Sequence, residues 1–154
     1  MTQENGVVER IRIFPAKGEA GKELTEGRLI KDRGLEGDYH ATGGDRQISL
    51  LFIDGLESIT DDQKKGLCLS RFRENISVRG IKSAEPGARF SVGEAARKAA
   101  GRAALEITGE IKHCHEACSL YEAEKSCPLA GMNLFAKVTG SGIIRVGDSI
   151  GIFT

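Results

Sequence analysis

The chain has 154 residues, 40% of them hydrophobic and 29% charged, with 22 Lys+Arg balanced by 22 Asp+Glu. A single domain of that size buries about 68–70% of the surface its unfolded chain exposes, so its core requires neither disulfides nor a structural metal. The balanced charge excludes a global basic field for nucleic acid or acidic membranes, and any anion has to be held by a local pocket. Glycine is over-represented at 20 scattered residues, which points to tight turns between short strands rather than to a flexible linker.

The N-terminal MTQENGVVERIRIF lacks the charged region and apolar run of a signal peptide, and no later segment is long enough to span a bilayer. The expected location is therefore the cytoplasm, where thiols stay reduced. VVERIRIF, residues 7–14, alternates as an opening strand stopped by Pro15. A polar loop is expected over 16–27 and a returning strand over 29–33. GLEGDYHATGGDRQ, residues 34–47, is too rich in glycine for regular structure and reads as a long shaped loop. ISLLF, residues 48–52, has the look of a buried strand, followed by a short helix over 53–59 and a solvated charge run over 61–65.

Strands are expected next over 71–77 and 88–92, the second after the Pro86-Gly87 turn. EAARKAA, residues 94–100, has strong helix propensity and stops at Gly101. A strand over 104–108, a short helix over 117–125 and three glycine-punctuated strands over 134–138, 142–146 and 149–153 complete the chain. Many short strands with few short helices predict a mainly β fold, barrel-like or sandwiched, over one domain spanning 1–154.

Chemistry concentrates in KHCHEACSLYEAEKSC, residues 112–127, which holds three of the four cysteines and two of the three histidines. If a helix begins near Cys114, Cys114 and Cys118 share one face at i and i+4. Lys112, His113 and the open N–H groups of a helix start would favour thiolate there. Two plainer readings compete. The cysteines can be small buried hydrophobes, or Cys114, Cys118 and Cys127 with His113 or His115 can supply four tetrahedral ligands to a structural zinc. Against zinc, the spacing lacks a second close pair.

The glycine loop carries Asp38, His40, Asp45 and Arg46. Its glycines let backbone N–H groups approach an anion, and Arg46 has the fork to grip phosphate. It matches neither a P-loop nor a dinucleotide fingerprint. The competing reading is a surface loop in which Asp38 and Arg46 satisfy backbone groups. Asn75, beside Glu74, can orient a ligand or cap a turn.

Four segments in order, GLEGDYHATGGDRQISLL, RENISVRGI, the HCHEAC region and AGMNLFAKVTGSGIIRVGDSI, resemble the MOSC domain, named for the C-terminal domain of molybdenum-cofactor sulfurases. The likeness covers about Gly34 to Ile150 and is nearest to short, stand-alone bacterial members. It implies a β-barrel-like fold and a role in handling sulfur or molybdenum for the molybdenum cofactor (molybdopterin). By the same resemblance Cys114 and Cys118 would accept sulfur as a persulfide, making the domain a sulfurtransferase-like carrier, or would ligate molybdenum. Asp38, His40, Arg46, Gln47 and Asn75 would line the cofactor pocket. A metal would find Cys114, Cys118, Cys127 and His115.

Because the family also occurs fused to pyridoxal-phosphate-linked sulfurases, this chain would need a cysteine desulfurase or another sulfur donor, with no pyridoxal phosphate site of its own. Its other partners would be molybdenum-cofactor synthesis or target proteins, not nucleic acid or membrane. The alternatives are a structural metal-binding domain without catalysis and a small molybdenum-dependent oxidoreductase module. Two departures from the family pattern stand out: Arg73 replaces the glycine of a GEN element, and EAARKAAGRA looks like an insertion.

Overall fold

A computed structural model describes residues 5–16, 18–44, 46–54, 74–81, 84–93, 103–111 and 133–153. Eleven strands occur among them: β1 (Asn5–Ile13), β2 (Lys22–Leu24), β3 (Glu26–Ile30), β4 (Gly34–Leu35), β5 (Ile48–Phe52), β6 (Ile76–Arg79), β7 (Arg89–Val92), β8 (Ala103–Ile111), β9 (Asn133–Gly140), β10 (Gly142–Arg145) and β11 (Ser149–Phe153). The fold is mainly β, as expected.

Seven strands close on themselves in the order β1-β6-β5-β9-β8-β7-β11 and back to β1. Closure depends on the length of β1. Its first residues pair with β11, its middle with β6, and its end with β2 (Ile11↔Leu24, Ile13↔Lys22). Closure gives each of the seven strands a neighbour on both sides. β3, β4 and β10 form a separate three-stranded sheet. It packs onto the same core, to which Leu29, Leu35 and Ile144 belong.

Period-2 alternation explains the interior. Ile48, Leu50 and Phe52 of β5, Ile76 and Val78 of β6, and Leu134, Ala136 and Val138 of β9 all join the core. Phe52 meets Phe90 of β7 across the barrel, ring centres 6.2 Å apart. Each such fully buried ring contributes about 1.5–3 kcal/mol. The residues that alternate with them are also removed from water on one side of the barrel. Ser49, Leu51, Asn75 and Ser77 are buried yet lie outside the core cluster.

Several expectations are corrected. The supposed polar loop over 16–27 contains β2 and the start of β3, because the β1 edge offers hydrogen bonds that polar residues can take while only Leu24 turns inward. The glycine loop opens with a strand, Leu35 pairing with Leu29. Of the strand expected over 71–77, residues 71–73 lie outside the described residues; β6 starts at Ile76 and runs on to Arg79, with Val78 in the core. β8 outruns its expected 104–108 span and is bulged between Ile107 and Ile111. Of the helix expected over 53–59, residues 53–54 begin a tight helical turn. The charge run over 61–65 and the helices expected over 94–100 and 117–125 lie outside the described residues.

Candidate functional site

One line of residues crosses the outer face of the barrel through Arg12, Asn75, Ser49 and Phe135. Arg12 N–H donates to Asn75 O at 2.7 Å, Asn75 N–H donates to Ser49 O at 2.8 Å, and Ser49 stands opposite Phe135. The Asn75 side chain holds that line to the glycine loop. Its Oδ1 accepts from Ser49 N–H at 2.9 Å, and its Nδ2 donates to Arg12 O and to Asp38 Oδ1, both at 3.1 Å.

Asp38 is the matching hub. Its Oδ1 also accepts from Phe14 N–H at 2.8 Å, and its Oδ2 accepts from His40 N–H at 3.0 Å. Gln47 closes the other end of the loop, accepting from Val138 N–H of β9 and donating to Gly44 O, each at 2.9 Å. Asp38, Gln47 and Asn75 are all buried, and their polar atoms are engaged within the chain. Such satisfied buried groups hold a loop in one shape.

Glu74, 1% exposed, forms the base of this hub between two arginines of β1. Its Oε1 pairs with Arg10 Nη2 and accepts from Ser77 Oγ at 3.3 Å. Arg12 Nη2 lies 2.8 Å from Oε2 in an ionic contact without hydrogen-bond alignment, and Arg12 Nε donates to Glu74 O at 3.4 Å. A carboxylate this buried requires compensating charge, which the two guanidinia provide. Sequence reasoning passed over Arg10 and Arg12. Their signal was available, since they alternate with Ile11 and Ile13 and therefore share the face turned away from the core.

The remaining loop residues face outward. The His40 side chain is 43% exposed and stacks on Tyr39, centroids 3.9 Å apart. Arg46 is exposed, with its guanidinium 5.0 Å from the centre of the Phe135 ring. Between them, Gly43 (φ +92°) and Gly44 (φ +86°) occupy the left-handed region that other residues resist, and a Cβ on Gly44 would meet no atom within 4 Å. Gly43 N–H is donated to Arg33 O at 3.3 Å, so the open stretch of backbone is that of Gly44. Phe135 is two residues from Asn133, where β9 begins after the cysteine-bearing segment.

Five predicted site residues are thus brought into one neighbourhood: Asp38, Gln47 and Asn75 as its buried frame, His40 and Arg46 on its surface. Cys114, Cys118, Cys127, His113 and His115 lie outside the described residues, as do Asp45 and Arg73. Among the described residues, no three His, Cys, Asp or Glu side chains are grouped to hold a metal. A shallow cavity of about 340 Å³ lies elsewhere, lined by Leu24, Glu26, Gly27, Arg28, Glu36 and Ile143, and contains none of the predicted residues.

A family model described as MOSC domain matches residues 37–151. The chain belongs to the MOSC domain family. It is accordingly a molybdenum-cofactor-related domain. Among solved structures, the YUAD protein from Bacillus subtilis is similar at a TM-score of 0.66 and 18% identity, over 98% of this chain and 97% of that one. A structure described only as a hypothetical protein matches at a TM-score of 0.62 and 16% identity, over 100% of this chain and 69% of that one. At those identities the two structures speak for the fold alone. Comparison with curated proteins gives no match. Among the described residues no helix is long and apolar enough to cross a membrane.

The described residues suit the anionic end of a phosphorylated cofactor. Gly44 is exposed with open space where a Cβ would stand, and Arg46, two residues on, is exposed as well. An exposed guanidinium and open glycine backbone are the elements from which phosphate sites are built.

Proposed function

We propose that this domain accepts sulfur on a cysteine thiolate and presents it for use at the molybdenum cofactor. The reading is supported by family membership and by one observation in particular. Arg46 packs on Phe135, two residues from the point where β9 follows the cysteine-bearing segment. The exposed edge of the glycine loop that carries Arg46 therefore lies beside the start of β9, which follows the cysteine-bearing segment in the chain.

In this reading Arg46 and the Gly44 backbone bind the cofactor's phosphate, while Asp38, Gln47 and Asn75 keep the loop in register. His40 borders the site. The bound cofactor supplies a metal centre able to take sulfur. Cys114, flanked by Lys112 and His113, is the nucleophile, and Cys118 is the resolving thiol. The Cys114 thiolate attacks the outer sulfur of a donor persulfide held by a cysteine desulfurase. A new S–S bond forms, the donor's S–S bond breaks, and the donor cysteine leaves as thiolate.

Incubating the reduced protein with a cysteine desulfurase and cysteine, then measuring intact mass, tests the reading. One added sulfur is expected on the wild type and none on the Cys114→Ala, Cys118→Ala double variant. An unchanged adduct on the double variant overturns it. Elemental analysis of the same preparation addresses the structural-metal alternative, which requires one tightly held zinc per chain and loss of folding on chelation.

A further inference from the structure

The neck of the glycine loop brings a second arginine to the surface that carries Arg46. Gly34 and Gln47, the first and last residues of the loop, are in close contact, and a Cβ on Gly34 would stand 3.0 Å from Gln47 O. Arg33 and Arg46 immediately precede these two residues in the chain, so both arginines are rooted at that neck. Two further anchors fix their placement. Val138 of β9 accepts from Asp32 N–H at 3.0 Å and donates its own N–H to Gln47 Oε1 at 2.9 Å. Gly43 N–H is donated to Arg33 O at 3.3 Å, which holds the glycine edge against the same turn. Arg33 is exposed, and among the described residues its side chain has no ion pair or hydrogen bond. Turn and neck together carry exposed Lys31, Arg33 and Arg46 against one described carboxylate, that of Asp32.

We propose that Arg33 is the second guanidinium of an anion site at this neck, and that Arg33 and Arg46, with the exposed Gly44 backbone near them, select a phosphate monoester over a diester. The proposal rests on the phosphate-binding part of the reading above and adds to it a residue and a selectivity. Charge count sets the selectivity. A terminal phosphoryl group carries about 1.5 to 2 negative charges at neutral pH and three acceptor oxygens, whereas a diester carries one charge and two free oxygens. Two planar forks supply one positive charge for each negative charge of the monoester and N–H donors for all three of its oxygens. A diester leaves the second guanidinium without a partner charge. Lys31 adds to the positive potential from the same turn without a fork of its own.

Isothermal calorimetry on the full chain with methyl phosphate and dimethyl phosphate tests the site. The wild type is expected to bind the monoester about tenfold more tightly than the diester, the worth of one added charge-assisted contact. Arg33→Ala should weaken methyl phosphate about fivefold, because solvent screens part of an exposed contact, and leave dimethyl phosphate within about twofold. Arg33→Lys keeps the charge without the fork and should retain more of the preference than Arg33→Ala does. Melting of Arg33→Ala should stay within a few degrees of the wild type, since its side chain has no described partner to lose. Equal monoester affinity in wild type and Arg33→Ala, with Arg46→Ala weakened, overturns the two-arginine site and leaves phosphate binding by Arg46 standing. A wild type that binds the two esters alike overturns the selectivity. A wild type that binds neither removes the phosphate reading along with the proposal, and sulfur loading is then judged by its own mass measurement.

Discussion

The two halves of the glycine loop solve opposite problems. Asp38 and Gln47, near its ends, are buried and direct their polar atoms at backbone groups of β9, Phe14 and the loop itself. His40, Gly44 and Arg46, between or beside them, face outward with few constraints from packing. Substitution in the buried half should therefore act on stability, and substitution in the exposed half on ligand chemistry. The contrast also explains why one short segment contains both a carboxylate turned inward and a guanidinium at the surface.

The largest loss of stability is expected at the hub. Asn75→Ala strands Ser49 N–H and Arg12 O in a buried setting and removes a donor from Asp38. Each unpaired buried group costs about 1–3 kcal/mol, so the variant should lose about 3 kcal/mol or more in urea unfolding. A loss under about 1 kcal/mol would show that water replaces the amide, and the hub would then not be what shapes the loop. Glu74→Gln comes next. It leaves two guanidinia against a neutral amide, but Arg10 and Arg12 are 41% and 19% exposed and solvent screens part of the effect. About 2 kcal/mol is expected, below the 3–5 kcal/mol of a fully buried broken pair. Gln47→Ala should cost about 1–2 kcal/mol by freeing Val138 N–H in the middle of β9.

These magnitudes bear on what could be read from the chain alone. Alternation in ISLLF and the segments around Leu134 and Ile150 exposed the core strands, because one face of each had to be apolar. KEL at 22–24 concealed a strand, because its own side chains mostly face water and so show no apolar face, although its pairing partner IRI lies close before it in sequence. The Arg10–Glu74 pair spans 64 positions, so no local pattern announces it. The loop's glycines were visible, but which of its polar residues would turn inward depends on Asn75 and Val138, residues delivered by distant strands. The cysteine cluster was legible as composition, and its geometry lies outside the described residues.

The smallest change in stability and the sharpest functional one should coincide at Arg46. Its contact with Phe135 is a cation–π interaction at a wet surface, worth about 0.5–1 kcal/mol. Arg46→Ala should therefore melt within a few degrees of the wild type, whereas a hub substitution moves the melting point much further. Its affinity for inorganic phosphate, followed by isothermal calorimetry, should drop several-fold, and the salt dependence of binding should flatten as a charged contact disappears. Arg46→Lys keeps the charge but not the planar fork, and should recover the salt dependence more fully than the affinity. Equal phosphate affinity in wild type and Arg46→Ala would mean that the exposed half of the loop binds no anion, and the division between a structural half and a ligand-binding half would fail. The same outcome would remove the cofactor phosphate from this surface and leave the thiol segment as the domain's remaining candidate for chemistry.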